Sequence, residues 1–378
     1  MIERIIQSRI EENLKPNKVN LVFGARRVGK TVLLKTIEKN FSGRTLFLNG
    51  EDSDTQILLG NTSIANYRNL FQGIDLLILD EAQSVEEIGK KLKLIVDEVT
   101  GLRIIASGSS SFDLLNKTGE PLVGRSTNFY LFPFSQSELS KHENLLQTKQ
   151  NLEERLLFGS YPELVLLKDI NQKRDYLRDI TGAYLLKDIL SLDGVKNARK
   201  MSDLLKLIAF QTGNLVSYDE LGKQLNLSRN TVEKYLDLLA KVFIIFRLSP
   251  YSKNLRKEIT KSSKWYFYDN GIRNQLIGDF SNLSIRHDIG QLWENYLISE
   301  RIKQNLYLNV HSESFFWRTY DGQEIDLIEK TDNSIQAFEF KWGNKIPRAP
   351  LAFSNNYPNA KFTVINQENY LNFINHPA

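Results

Sequence analysis

Cysteine is absent from the 378 residues. That excludes disulfide scaffolds, thiolate metal sites and cysteine nucleophiles. Only four histidines are present, so a histidine-rich zinc site is not expected. No apolar run approaches the roughly 20 residues needed to span a bilayer. The longest, around Leu76–Leu79 and Val242–Phe246, are strand-sized. The opening stretch, MIERIIQSRIEENLKPNKVN, is charged throughout and lacks the apolar centre of a signal peptide. A soluble, cytoplasmic chain with no membrane partner is therefore expected. Charge of one sign is scarce too: 49 basic against 45 acidic residues leave +4, compatible with nucleic acid but no argument for it.

What is present is ordinary globular material, 41% apolar and 25% charged. The length exceeds the roughly 250–300 residues at which a single core stops growing, so two or three domains are expected. Up to about residue 139, continuous apolar runs (Val19–Phe23, Thr45–Leu48, Leu76–Leu79, Arg103–Ala106, Phe129–Phe132) alternate with helical spacing over Thr31–Asn40 and Val85–Val99. Continuous runs mark strands buried on both faces, which predicts an α/β domain with a mostly parallel sheet. Residues 140–200 read as a helical lid or linker, 201–284 as a helix-rich unit ending in a strand, and 285–378 as a second α/β unit.

The strongest signal follows the first strand. Gly24-Ala25-Arg26-Arg27-Val28-Gly29-Lys30-Thr31, continued by Val32, matches G-x-x-x-x-G-K-[ST] between an apolar strand and a helix. Two glycines let backbone amides turn toward phosphate oxygens. Lys30 would reach the β- and γ-phosphates of ATP, and Thr31 would offer its hydroxyl to Mg2+. A later apolar strand ends in Asp80-Glu81, at the strand tip where open α/β sheets bind ligands. Asp80 would hold Mg2+, and Glu81 would act as the base toward water. A third strand ends in Ser107-Gly108-Ser109-Ser110; Ser109 is the candidate for sensing the γ-phosphate, against a plain serine turn. Gly124-Arg125 precedes the fifth strand. Arg125 is either a finger reaching the nucleotide of a neighbouring subunit in a homo-oligomer, or a surface arginine.

With these residues in view, the chain resembles the prokaryotic AAA+ and related signal-transduction ATPases that carry a C-terminal domain of uncharacterised type, DUF4143. The resemblance extends through Leu131–Leu139 (LFPFSQSEL) and Gly159–Glu163 (GSYPE). It implies a P-loop ATPase core of AAA+ type, then a winged helix and a nuclease-like unit.

Residues 217–240 themselves read as a helix-turn-helix. Ser228 suits an N-cap, and Val232, Tyr235, Leu236 and Leu239 make an apolar face that leaves Arg229, Asn230, Glu233 and Lys234 outward. The stretch Lys241–Lys264 carries seven basic residues and one acid, with Tyr251 and then Trp265, Tyr266 and Tyr268 close by. A basic wing with aromatics suits DNA phosphate contact; a packing module is the other reading.

In the last unit, Glu339 and Lys341 share one strand face, and Asp326 on the preceding strand would meet them across an antiparallel hairpin. Two carboxylates make a hard oxygen site for Mg2+ or Mn2+. The pattern resembles the PD-(D/E)XK nuclease superfamily, or restriction-endonuclease-like fold. That resemblance implies Glu294 as a further acidic ligand, with Trp317-Arg318 leading into the strand. An intact metal-dependent nuclease and a degenerate relic are both open. Two functions follow: an ATP-driven enzyme acting on DNA, or a nucleotide-controlled switch with an inactive nuclease-like unit.

Overall fold

The computed structural model describes residues 2–109, 122–184, 197–252 and 263–375. Ser110, Lys253, Arg256, Lys257 and Lys261 lie outside the described residues. The chain divides into two compact units, residues 1–132 with 241–243, and residues 133–240 with 244–378.

The first unit is built on five parallel strands: β1 (Lys18–Phe23), β2 (Thr45–Asn49), β3 (Leu76–Asp80), β4 (Arg103–Gly108) and β5 (Ser126–Tyr130). Their order is β2-β3-β4-β1-β5, with all pairs parallel. Helices α1 (Ile6–Glu12), α2 (Lys30–Asn40), α3 (Ser53–Gly60), α4 (Ile64–Leu70) and α5 (Ile88–Glu98) connect or cover them. The central strands are buried along almost their whole length, which is why they read as unbroken apolar runs. On α2 the inward stripe is Leu33, Leu34 and Ile37; on α5 it is Ile88, Leu92, Ile95 and Val96. The fifth strand begins three residues earlier than the apolar run Phe129–Phe132 predicts. As an edge strand it exposes Thr127 and Asn128, so no apolar signal marks its first half.

The second unit holds a mixed seven-stranded sheet, ordered β12-β11-β10-β9-β7-β8-β6. Its strands are β6 (Leu215–Val216), β7 (Ile245–Pro250), β8 (Ser263–Phe267), β9 (Glu313–Arg318), β10 (Glu324–Lys330), β11 (Ile335–Phe340) and β12 (Lys361–Ile365). Helices α6 (Ala198–Phe210), α7 (Tyr218–Leu225), α8 (Arg229–Lys241), α9 (Asn270–Ile277) and α10 (Ile289–Tyr307) are the ones that bear on the sites. Residues 201–284 and 285–378 thus share one sheet, because β7 pairs in parallel with β9 through Ser249–Phe315 and Pro250–Phe316. Between Ile325 and Ile328, β10 carries a bulge against β9, which gives Asp326-Leu327 one residue more than the partner strand opposes.

From Pro133 on, the motif LFPFSQSEL serves packing in this unit, as does GSYPE. Ser135 and Glu138 close a capping box, and the Gln136 amide donates to Glu300 at 2.6 Å. At Gly159, with φ +76°, a Cβ would lie 1.9 Å from Asp269 Oδ1. Glycine is therefore required where Asp269 accepts the Ser160 amide at 2.7 Å and caps α9. Among the described residues, no helix is long and apolar enough to cross a membrane.

Candidate nucleotide site and the C-terminal carboxylate cluster

The loop after β1 is shaped by two glycines. A Cβ at Gly24 would meet the Leu131 carbonyl oxygen at 2.2 Å, and Gly29 has φ +99°, a left-handed backbone that side chains resist. Arg27 is also left-handed, at φ +61°. The turn delivers α2 with no side-chain cap and no acid in its first turn. The first-turn amides, Val32 included, thus keep the positive end of the helix open to an anion. Ala25 and Val28 are buried under the loop, while Arg26 and Arg27 lie toward its surface. Lys30 is 4% exposed, and its ammonium donates to the loop carbonyls of Gly24 and Ala25 at 3.0 and 3.1 Å. Glu81 Oε1 lies 3.8 Å from the same nitrogen.

Asp80 ends β3, almost fully buried. One carboxylate oxygen accepts from the Thr31 hydroxyl at 2.5 Å, and the other accepts from the Ser107 hydroxyl. Ser107 in turn accepts the Glu81 amide at 3.1 Å. Glu81 is held with φ +48°, a region costing a non-glycine residue about 1–3 kcal/mol. The strained turn aims its side chain back at the loop, where Gln83 Nε2 donates to Glu81 Oε2 at 2.6 Å. Gln83 Nε2 also lies 3.5 Å from the Ser109 hydroxyl, and Gln83 Oε1 is buried without a hydrogen-bond partner. Gly50, at the end of β2, is a further constraint: a Cβ there would meet the Glu81 carbonyl oxygen at 2.4 Å.

The structure therefore gathers Lys30, Thr31, Asp80, Glu81 and Ser109 around one loop. Sequence reasoning singles out Ser109 and passes over Ser107, Gln83 and Gly50. The signal for Ser107 is the polar residue closing apolar β4, but its use requires knowing that β3 and β4 are neighbours. Arg125 is not part of this constellation. It precedes β5, beside the start of β1, at the end of the parallel sheet away from the loop, and it pairs with Asp97 at 2.7 Å.

The residues fit a magnesium nucleotide. Thr31 and Asp80 present adjoining oxygens, the hard donor set that Mg2+ prefers, beside an amide-lined loop and a buried ammonium.

In the second unit, β8, β10, α10 and the end of β11 bring Lys264, Tyr266, Glu294, Glu324, Asp326, Glu339 and Lys341 into one electrostatic cluster. Asp326 accepts the Phe340 amide at 2.7 Å. Burial, and then the charges of Glu294 and Glu339, raise its carboxyl well above the usual range. The Lys341 ammonium donates to Glu339 at 2.6 Å. Tyr266 donates its hydroxyl to Glu294 at 2.6 Å, and Arg318 donates to Glu324 at 2.7 Å. The set expected to bind Mg2+ or Mn2+ is brought together here: Glu294 and Glu339 lie close enough to Asp326 for their charges to act on it. Among the described residues, no group of three or more histidine, cysteine, aspartate or glutamate side chains is arranged to hold a metal. A basic side chain stands against each of Glu294, Glu324 and Glu339. Lys264, Trp265 and Tyr266, expected on a solvent-facing wing, are buried.

The helix pair α7–α8 packs as its apolar spacing predicts. Val232, Tyr235, Leu236 and Leu239 are buried, the Ser228 hydroxyl accepts the Thr231 amide at 3.2 Å, and Arg229, Asn230 and Lys234 are exposed.

The first unit has the construction of a P-loop nucleotide-binding domain: a five-stranded parallel sheet with its loop and acidic strand tip side by side. Residues 16–140 match the family model described as AAA domain. Residues 149–283 and 289–375 match two domains of unknown function, DUF8612 and DUF4143. The chain thus carries an AAA domain of the ATPase kind and a C-terminal DUF4143 region. An uncharacterized protein of Methanocaldococcus jannaschii is 27% identical over 351 residues, covering 86% of this chain and 75% of the relative. One of Mycobacterium tuberculosis is 25% identical over 339 residues, covering 88% and 72%. Among solved structures, a Walker-type ATPase of Pyrococcus abyssi aligns with TM-score 0.48 at 16% identity, over 73% of this chain and 96% of that one. The Thermotoga maritima RuvB Holliday junction branch migration motor aligns with TM-score 0.29 at 14% identity, over 61% and 82%.

Proposed function

We propose that this chain binds and hydrolyses ATP with Mg2+ and couples that cycle to DNA held by the α7–α8 helix pair, read as the helix-turn-helix of a winged-helix module. The observation that carries the first half is the Asp80 carboxylate bridging the Thr31 and Ser107 hydroxyls beside the Lys30 loop. Thr31 and Asp80 would hold the magnesium ion, which when bound neutralises charge on the β- and γ-phosphate oxygens. The loop amides and the Lys30 ammonium orient the phosphates. Glu81 accepts a proton at its carboxylate from a water. The water oxygen bonds to the γ-phosphorus as the β,γ-bridging P–O bond breaks, leaving ADP and phosphate. Gln83 fixes the Glu81 carboxylate during that transfer. Gln83→Ala should lower kcat about tenfold with little change in KM, because one hydrogen bond to a charged group is removed while nucleotide binding is kept. A Michaelis–Menten series on ATP reads this directly, and an equal loss in KM alone would refute the positioning role. A homo-oligomer remains part of the reading, since Arg125 would serve only the nucleotide of a second copy.

The DNA half is supported by the exposed Arg229, Asn230 and Lys234 on a helix with a buried opposite face. Arg229→Ala with Lys234→Ala should weaken duplex binding and reduce the slope of log K against log salt by about 0.9 for each phosphate no longer neutralised. Fluorescence anisotropy at several salt concentrations checks it; an unchanged slope would remove this face from the interface.

A further inference from the structure

Lys264 is 1% exposed, an unusual depth for a side chain that normally carries its ammonium to water. Its nitrogen lies 3.3 Å from Glu294 Oε1 and contacts the Glu324 carboxylate. It also stands 5.5 Å over the Phe316 ring, an attractive arrangement for a desolvated cation. Burial opposes its charge, but Glu294, Asp326 and Glu324 outweigh burial and raise the ammonium above its ordinary value. Lys264, Lys341 and Arg318 thus face Glu294, Glu324, Asp326 and Glu339. Two of the four carboxylates, Glu294 and Glu324, are thus already in contact with the one buried ammonium of Lys264.

We propose that Lys264 is the resident cation of this carboxylate cluster, its ammonium standing among Glu294, Glu324 and Asp326 where a divalent metal would otherwise be held. The C-terminal unit is accordingly metal-independent, and its carboxylates serve to anchor β8 against α10 and β10. None of this depends on the nucleotide site. Removing the ammonium leaves a net-negative set of oxygen ligands, the condition under which Mg2+ or Mn2+ binds.

The test is Mn2+ titration of the full, nucleotide-free chain followed by electron paramagnetic resonance, comparing wild type, Asp326→Asn, Lys264→Met and the double variant. Far-ultraviolet circular dichroism and urea unfolding report folding. Wild type and Asp326→Asn should bind the same number of Mn2+ ions, Lys264→Met should gain one, and the double variant should lose that gain. A Mn2+ ion held by wild type and lost in Asp326→Asn overturns the proposal, as does a folded Lys264→Met that gains none. Should Lys264→Met not fold, the comparison of wild type with Asp326→Asn decides alone: equal counts support the proposal, and an ion lost in Asp326→Asn overturns it.

Discussion

Lys30→Ala should abolish ATP turnover and raise the Kd for ATP by at least about two orders of magnitude. The size follows from what the ammonium meets. In the structure it is buried and held by the Gly24 and Ala25 carbonyls; with nucleotide present its partners become phosphate oxygens in a poorly hydrated loop. Charge-assisted hydrogen bonds are worth about 1.5–3 kcal/mol each, and about 1.4 kcal/mol is a factor of ten in affinity. The same deletion removes transition-state stabilisation, so kcat falls as well as affinity. Binding of a fluorescent ATP analogue and phosphate release, measured side by side, separate the two losses. Turnover at the wild-type rate would disprove the loop assignment and with it the roles of Asp80 and Glu81.

The second large effect concerns stability. Arg301 and Glu329 form an ion pair at 2.7 Å with side chains 2% and 0% exposed. Arg301 also donates to the Phe373 carbonyl at 2.6 Å, and Asn305 donates to Glu329 at 2.8 Å. Glu329→Ala strands a guanidinium in the interior, which should cost about 3–5 kcal/mol. Arg301→Met added to Glu329→Ala should recover much of that loss, because a well-packed apolar pair avoids burying any charge. Urea unfolding monitored by tryptophan fluorescence gives both values. A loss below about 1 kcal/mol for Glu329→Ala would place the pair in the class of solvent-exposed salt bridges. ATP binding gives an independent readout, since neither residue belongs to the first unit.

The first unit is largely legible in the sequence because its chemistry is local. The loop from Gly24 to Thr31 is contiguous, and β3 announces itself as an apolar run with two acids at its tip. The hydroxyl on Asp80 is harder to name. Ser107 and Ser109 sit two apart on the same strand end, and only the parallel pairing of β3 with β4 shows that Ser107 meets the carboxylate. The C-terminal cluster exposes a different limit. Spacing along β11 puts Glu339 and Lys341 on one face, and the hairpin brings Asp326 toward them. Lys264, by contrast, reads in the sequence as one more solvated base of the stretch that starts at Lys241. Its burial depends on β7 pairing with β9, a contact between segments more than sixty residues apart that no periodicity records.

That pairing also decides how the second unit can be divided in the laboratory. The ladder from β6 through β12 is continuous, so severing the chain near residue 285 would strip hydrogen bonds from both β7 and β9. Each fragment would display a raw strand margin, a template for sticking to its own kind. The helix pair and the DUF4143 region should therefore be expressed, purified and assayed as a single piece.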